Sequence, residues 1–246
     1  RRHSFPTRRS SDLKSNNNAI FQEASLFLAG RLSERVGSFT QLTYSGVDKK
    51  WAVDQLDIRH TKSVTVQDQE ATIGISLNNN PTLTDPVNTL GQWRFPYISS
   101  DFGYSPADQT VPLVERLGGS VVGLNLYSFL QNGIYAEYGL YNTPSQQTLS
   151  RMGSGDAGSF KGFADYMRVA YLADQKRSNW SVGLLYFGAK VRPDRTYAGG
   201  DTDNYKDFGV DASYQFLGNR EHMFTLTSSY IREKRNLGYT YGVLAE

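Results

Sequence analysis

The sequence predicts an all-β chain, an antiparallel up-and-down barrel that is incomplete, with about eleven strands. Three observations carry this. Stretches of roughly 8–12 residues, rich in Tyr and apolar side chains, follow one another from about residue 20 onward and alternate apolar with polar or small residues, the strand period of two. The links between them are sorted by parity. Short ones lie near Glu34, Asp68, Asn132, Lys176 and Asn219, long ones cover 79–118, 142–160 and 191–206, and medium ones lie near Asp48 and Arg235. Such alternation belongs to a transmembrane barrel with trim turns on one side and larger loops on the other, and a soluble sandwich has no cause to produce it. Finally, no apolar run approaches the ~18 residues of a membrane helix, and mean hydropathy is −0.50. Low hydropathy suits strands in which only every second residue meets lipid.

The predicted strands are 22–32, 36–46, 51–62, 70–78, 119–130, 133–141, 161–173, 179–190, 205–217, 221–232 and 238–246. In 51–62, Leu56 and Ile58 oppose Gln55, Asp57 and Arg59. In 70–78, Ala71, Ile73, Ile75 and Leu77 oppose Glu70, Thr72, Gly74 and Ser76. Ile134, Ala136 and Leu140 oppose Tyr135, Glu137 and Gly139 in 133–141, and Val210 and Ala212 oppose Asp211 in 205–217. Phe224 and Leu226 oppose Thr225 and Thr227 in the same way. Strands 36–46 and 180–189 carry apolar residues on both faces and have no assigned orientation. Aromatic residues gather at strand ends, as in Tyr44 and Trp51, Tyr127 and Phe129, Trp180, and Tyr239 and Tyr241, where a membrane interface favours amphipathic rings. An odd strand number conflicts with the even count of bacterial single-chain barrels. The expectation is therefore a continuous section of a larger, porin-sized barrel.

The opening His3 to Leu13, HSFPTRRSSDL, looks like translated sequencing adapter, so the chain divides into a non-native tail, 1–13, and a partial barrel domain, 14–246. Arg1, Arg2, Arg8, Arg9 and Asp12 carry a net +3, so the +2 of the whole chain becomes −1 for 14–246. Nucleic acid loses its electrostatic warrant as a partner. With no cysteine, the chain has no disulfide, thiolate nucleophile or covalent haem attachment.

The alternation resembles bacterial outer-membrane porin-like barrels. The run Leu77-Asn78-Asn79-Asn80-Pro81-Thr82, continuing through Asp85-Pro86, Asn88-Thr89 and Trp93-Arg94-Phe95-Pro96, is similar to an uncharacterised porin-like group sometimes labelled with cytochrome c systems. The resemblance covers about 14–246. It implies a bacterial outer-membrane location, outer-membrane lipid around the barrel, and passage of small solutes or ions. No Cys-x-x-Cys-His occurs, so this chain cannot itself attach haem.

Lumen selectivity is set by inward charges. Side-chain parity nominates Asp57, Arg59, Tyr135, Glu137, Tyr166, Arg168 and Asp211 as pore-lining, and their mixed signs predict no strong ion selectivity. The link 79–118, with five prolines and many aromatics, is either a constriction folded into the lumen, with Trp93, Arg94 and Asp101 at its centre, or an external cap. No cofactor or metal site is expected. An enzyme is not expected either, since beyond His3 only His60 and His222 could serve as imidazole bases. The expected function is a passive diffusion channel. The alternative is a structural barrel that sheathes or anchors a periplasmic or surface partner, such as an electron-transfer component, and homo-oligomerisation is open.

Overall fold

The computed structural model describes residues 21, 23–66, 69–81, 112–196, 199–218 and 222–244. The adapter-like tail and Trp93, Arg94 and Asp101 lie outside the described residues. The strands are β1 (Glu23–Arg31), β2 (Val36–Ser45), β3 (Lys50–Val66), β4 (Gln69–Asn78), β5 (Val122–Leu130), β6 (Ile134–Asn142), β7 (Ser159–Phe160), β8 (Ala164–Gln175), β9 (Ser178–Arg192), β10 (Asp203–Phe216) and β11 (Phe224–Leu237). Three short helices, α1 (Leu113–Arg116), α2 (Gln146–Met152) and α3 (Gly238–Leu244), sit in or after the longer links.

All eleven strands form one antiparallel, barrel-like sheet in the order β1-β2-β3-β4-β5-β6-β8-β9-β10-β11, with the two-residue β7 added onto β9. Each long strand pairs with its sequence neighbour, as the parity of the links requires. The sheet is open. Turn chemistry fixes the short-link end. At the β5–β6 turn the Gly133 N–H donates to Leu130 O at 2.9 Å, and Gly133 adopts φ +91°. A Cβ there would also lie 2.0 Å from Leu172 O, so glycine is required twice over.

The two faces differ sharply. Ser76, Asn125, Arg168, Phe187 and Asp211 on one face are almost wholly buried, whereas Leu126, Leu184 and Val210 on the other remain half exposed. No second sheet covers the buried face among the described residues. At its long-link end α1 does so, with Leu113, Val114, Leu117 and Val121 packed against Tyr141, Tyr166 and Phe187. This face is the inner one.

Two sequence expectations need correction. Residues 238–246 are not an eleventh long strand, because Gly238–Leu244 is helical. Tyr239, Tyr241 and Val243 alternate, but seven residues are too few for a period of two to decide the backbone. The deciding group is distant: the Asp203 carboxylate accepts from Thr240 N–H at 3.1 Å and from Thr240 Oγ1 at 2.6 Å, satisfying the first turn. Nor is there a link at Arg235, since β11 runs on to Leu237 against the full length of β10.

The long links carry local order. Ser145 caps α2 by accepting from Thr148 N–H at 3.2 Å, and Gly153 closes it at φ +71°. Arg195 Nε reaches both Asp156 carboxylate oxygens at 2.9 Å, tying the β6–β8 connection to the β9–β10 link. The Asp156 carboxyl is held below the usual carboxylate range, first by this hydrogen bond. A depressed folded pKa contributes order that is present above the unfolded carboxylate pKa and is lost as pH falls through the folded value. Protection against amide hydrogen exchange around 194–196, taken relative to the intrinsic rate at each pH, should therefore fall on acidification through that range. Asp156→Asn should show the lower protection already at neutral pH, while Asp194→Asn should leave the tie to Asp156 unchanged.

Candidate functional site

Because the strand period is two, every residue sharing parity with a buried neighbour is delivered to the inner face, where long polar side chains must find partners. The structure places all seven described lumen candidates there: Asp57 and Arg59 on β3, Tyr135 and Glu137 on β6, Tyr166 and Arg168 on β8, and Asp211 on β10. Six of them fall into two groups, while Tyr166 packs in the apolar cluster beside Tyr141 and Phe187.

The first is a continuous chain across β3 to β6. Arg59 Nη2 meets Asp57 Oδ2 at 2.6 Å, and Ser76 Oγ donates to Asp57 Oδ1 at 2.9 Å. Asn78 Nδ2 donates to Ser76 Oγ at 3.0 Å, and Tyr141 OH donates to Asn78 Oδ1 at 3.0 Å. Asn125 Nδ2 then bridges Tyr141 OH at 2.9 Å and Glu137 Oε1 at 2.7 Å, while Tyr135 OH donates to Glu137 Oε2 at 2.9 Å. The Arg59 guanidinium also lies over the Tyr127 ring, 5.5 Å from its centroid. Asn125 and Tyr141 were not named by sequence reasoning, whereas Ser76 and Asn78 fall on the polar face read for 70–78 without being named as lining residues.

The second group is a bidentate pair, Arg168 Nη1 to Asp211 Oδ2 at 2.6 Å and Nη2 to Oδ1 at 2.8 Å, both side chains fully buried. These residues lie on β8 and β10, so the pair spans β9. Gly183 makes this possible: a Cβ there would stand 2.5 Å from Arg168 Nη2 and 2.8 Å from Asp211. Asp203, Asp207 and Asp211 form a ladder at every fourth residue of β10, a signal legible in the sequence but unused. Each rung holds a different element, respectively α3, α1 and β8.

The middle rung positions the inward segment. Val114 N–H donates to Asp207 Oδ2 at 2.9 Å and Leu113 N–H to Glu233 Oε2 at 2.6 Å, with Arg116 Nη2 at 4.0 Å from Glu233. Asp207 and Glu233 are directly opposed across β10 and β11, a like-charge pairing that costs stability unless donors intervene. The backbone of α1 supplies them. The C-terminal part of the 79–118 link thus packs inside the sheet. Its centre at Trp93 to Asp101 lies outside the described residues.

The outer face has its own order. One hydrogen-bonded row of outward residues runs Ile58, Leu77, Leu124 and Leu140 on β3 to β6, then Asp165, Gly188, Lys206 and Lys234 on β8 to β11. Nearer the short links, the row beginning with Lys62 continues through Ile73, Ser128, Ala136, Val169, Leu184 and Val210. One row passes from apolar to charged and the other from charged to apolar, so the apolar band crosses the rows obliquely. Between Leu26 on β1 and Leu226 on β11 it slides by roughly one to one and a half residues per strand, which at ~3.3 Å rise and ~4.8 Å spacing is a slope of roughly 35–45°.

No group of His, Cys, Asp and Glu among the described residues could hold a metal. His60 and His222 are both exposed. Comparison with family models, with curated proteins and with solved structures finds no match.

Removing one partner of a buried ion pair strands the other, at about 3–5 kcal/mol. Arg168→Met and Asp211→Asn should each lower stability by that order in urea unfolding of the folded chain. The double variant Arg168→Met/Asp211→Leu should recover most of the loss. Gly183→Val should resemble the single variants, because it drives the two charges apart.

Proposed function

We propose that the chain is the wall of a bacterial outer-membrane, porin-like channel for small solutes or ions, with α1 and its flanking residues narrowing the lumen. The oblique outward apolar band carries this reading. Transmembrane barrel strands tilt by ~35–45° to the membrane normal, so a band level with the membrane must cut the hydrogen-bonded rows at that slope. A face covered by a partner protein has no need of a band that climbs at a constant rate across ten strands. The parity of the links supports the same orientation, with short turns periplasmic and long links external. An open edge in hydrocarbon leaves backbone groups unsatisfied at several kcal/mol each, so in the membrane β1 and β11 pair with further strands.

The lumen of this channel is lined by charges of both signs, with Arg59 on Asp57 and Arg168 on Asp211. That favours weak ion selectivity and a conductance governed by steric width. The filled inner face also favours a second reading, a structural barrel around or beneath a periplasmic or surface partner, in which the interior never conducts.

Single-channel recording of the protein in planar bilayers separates the two. The channel reading expects a small conductance that rises when the α1 clasp is released by Asp207→Ala/Glu233→Ala, and rises further when 82–116 is replaced by a short Gly/Ser link. Silence in all three forms, with the strands inserted, overturns the channel and leaves the structural barrel.

A further inference from the structure

Beyond the apolar band, on the outer face at the long-link end, four lysines converge on one shallow cavity of about 540 Å³: Lys161, Lys190, Lys206 and Lys234. Phe163 and Tyr186 complete its apolar side. Lys206 and Lys234 are directly opposed across β10 and β11, which puts their Cβ atoms roughly 5 Å apart. Lys190 lies on β9 two residues past Gly188, the partner of Lys206, and so stands on the diagonal at roughly 7–8 Å. Like charges directly opposed on a sheet destabilise it. The one carboxylate at this cavity among the described residues, Asp165, accepts from Tyr138 OH at 2.9 Å, and the Asp203, Asp207 and Glu233 carboxylates bond to groups on the inner side. Gly188 adds no side chain to the floor, and the Tyr186 ring lies over it, its OH 2.5 Å from where a Cβ would stand.

The level of the cluster identifies what fits it. On β10 the apolar run Phe208 to Phe216 is centred at Ala212, and Lys206 lies six residues beyond that centre. Six residues span roughly 20 Å along a strand, and at the slope of the band this projects to roughly 15 Å, just past half of a ~25 Å apolar belt. The lysines therefore stand at headgroup height, with Phe208 and Tyr186, 5.0 Å apart between ring centroids, below them at the boundary.

We propose that this cluster binds the phosphorylated headgroup of an outer-leaflet lipid, whose acyl chains lie on the apolar face of β8 to β11. The site rests on the membrane-barrel reading. An anion carrying more than one phosphate meets charges on three adjacent strands at once and removes their mutual repulsion, and the chains below cover Met167, Leu184 and Val210, which are half exposed.

Diphosphoryl lipid A is the probe, with phosphatidylcholine as the neutral lipid and inorganic pyrophosphate as the lipid-free anion. The full chain is reconstituted in phosphatidylcholine vesicles containing lipid A, floated, extracted in mild detergent, and weighed intact to count retained lipid. The wild-type chain should retain lipid A, lose it at high salt, and show no comparable retention of pyrophosphate. Lys206→Gln/Lys234→Gln should weaken retention about thirtyfold, since each lysine at a membrane surface contributes about a factor of five. Lys62→Gln, at the opposite end of the sheet, should not. In lipid-free detergent the double variant should be as resistant to urea as wild type or more so, which separates loss of a ligand from loss of the fold. Equal retention by the double variant overturns the site while leaving the barrel intact. Retention of pyrophosphate as strong as that of lipid A overturns the assignment to a lipid, and a chain that does not float with vesicles overturns the membrane reading and the site together.

Discussion

The ladder of inward aspartates on β10 is the constraint around which the interior is arranged. Asp203, Asp207 and Asp211 share one face, and each is buried to the point that an unpartnered carboxylate would be untenable. Each therefore dictates where a different piece of chain goes. Asp211 takes the Arg168 guanidinium across the width of β9, Asp207 takes the N–H of Val114, and Asp203 takes the first turn of α3. A strand with one such residue would be anchored at a point. Three of them, spaced along roughly 26 Å of strand, fix the levels of α1, α3 and β8 relative to one another.

The rest of the inner face follows a related rule. Small residues lie beside large polar ones, so that a long side chain can lie flat over its neighbour. Gly183 accommodates the Arg168–Asp211 pair, and a Cβ on Gly139 would fall 2.4 Å from Asn125 Oδ1. The outcome is two hydrogen-bonded groups, one joining Asp57, Arg59 and Glu137 through neutral side chains and one a matched Arg168–Asp211 pair. The apolar half of this face, where Leu117 and Val121 meet Tyr141 and Phe187, excludes water by packing.

Inner and outer faces set different limits on the same strands. Inside, partners are specific and distances are those of hydrogen bonds. Outside, the requirement is only that apolar side chains stand at one level, and the residue types Ile, Leu, Val, Tyr and Phe exchange freely along it. The climb of that level across the rows makes the outer face more than a generic apolar surface. It couples backbone register, which the hydrogen bonds determine, to the height of each side chain, and so puts lysines of β9 to β11 together at one rim.

Strand existence, antiparallel order and, outside 36–46 and 180–189, the assignment of faces were legible in the sequence because a period of two and the parity of links are local properties. All seven described inward candidates were found by that route, each from its own strand alone. What the sequence could not express was which of them would meet. Arg168 and Asp211 are separated by a whole strand, and only the register of β8, β9 and β10, together with the missing Cβ of Gly183, brings them into one pair. The last stretch shows the converse: Tyr239, Tyr241 and Val243 alternate like a strand, yet Gly238–Leu244 is helical because Asp203 reaches its first turn from another element. Local alternation decided which way side chains point along each strand. The partners they found, and the helix made of a strand-like sequence, were decided by side chains far away in the chain, whose hydrogen bonds outweigh a local preference worth only fractions of a kcal/mol per residue.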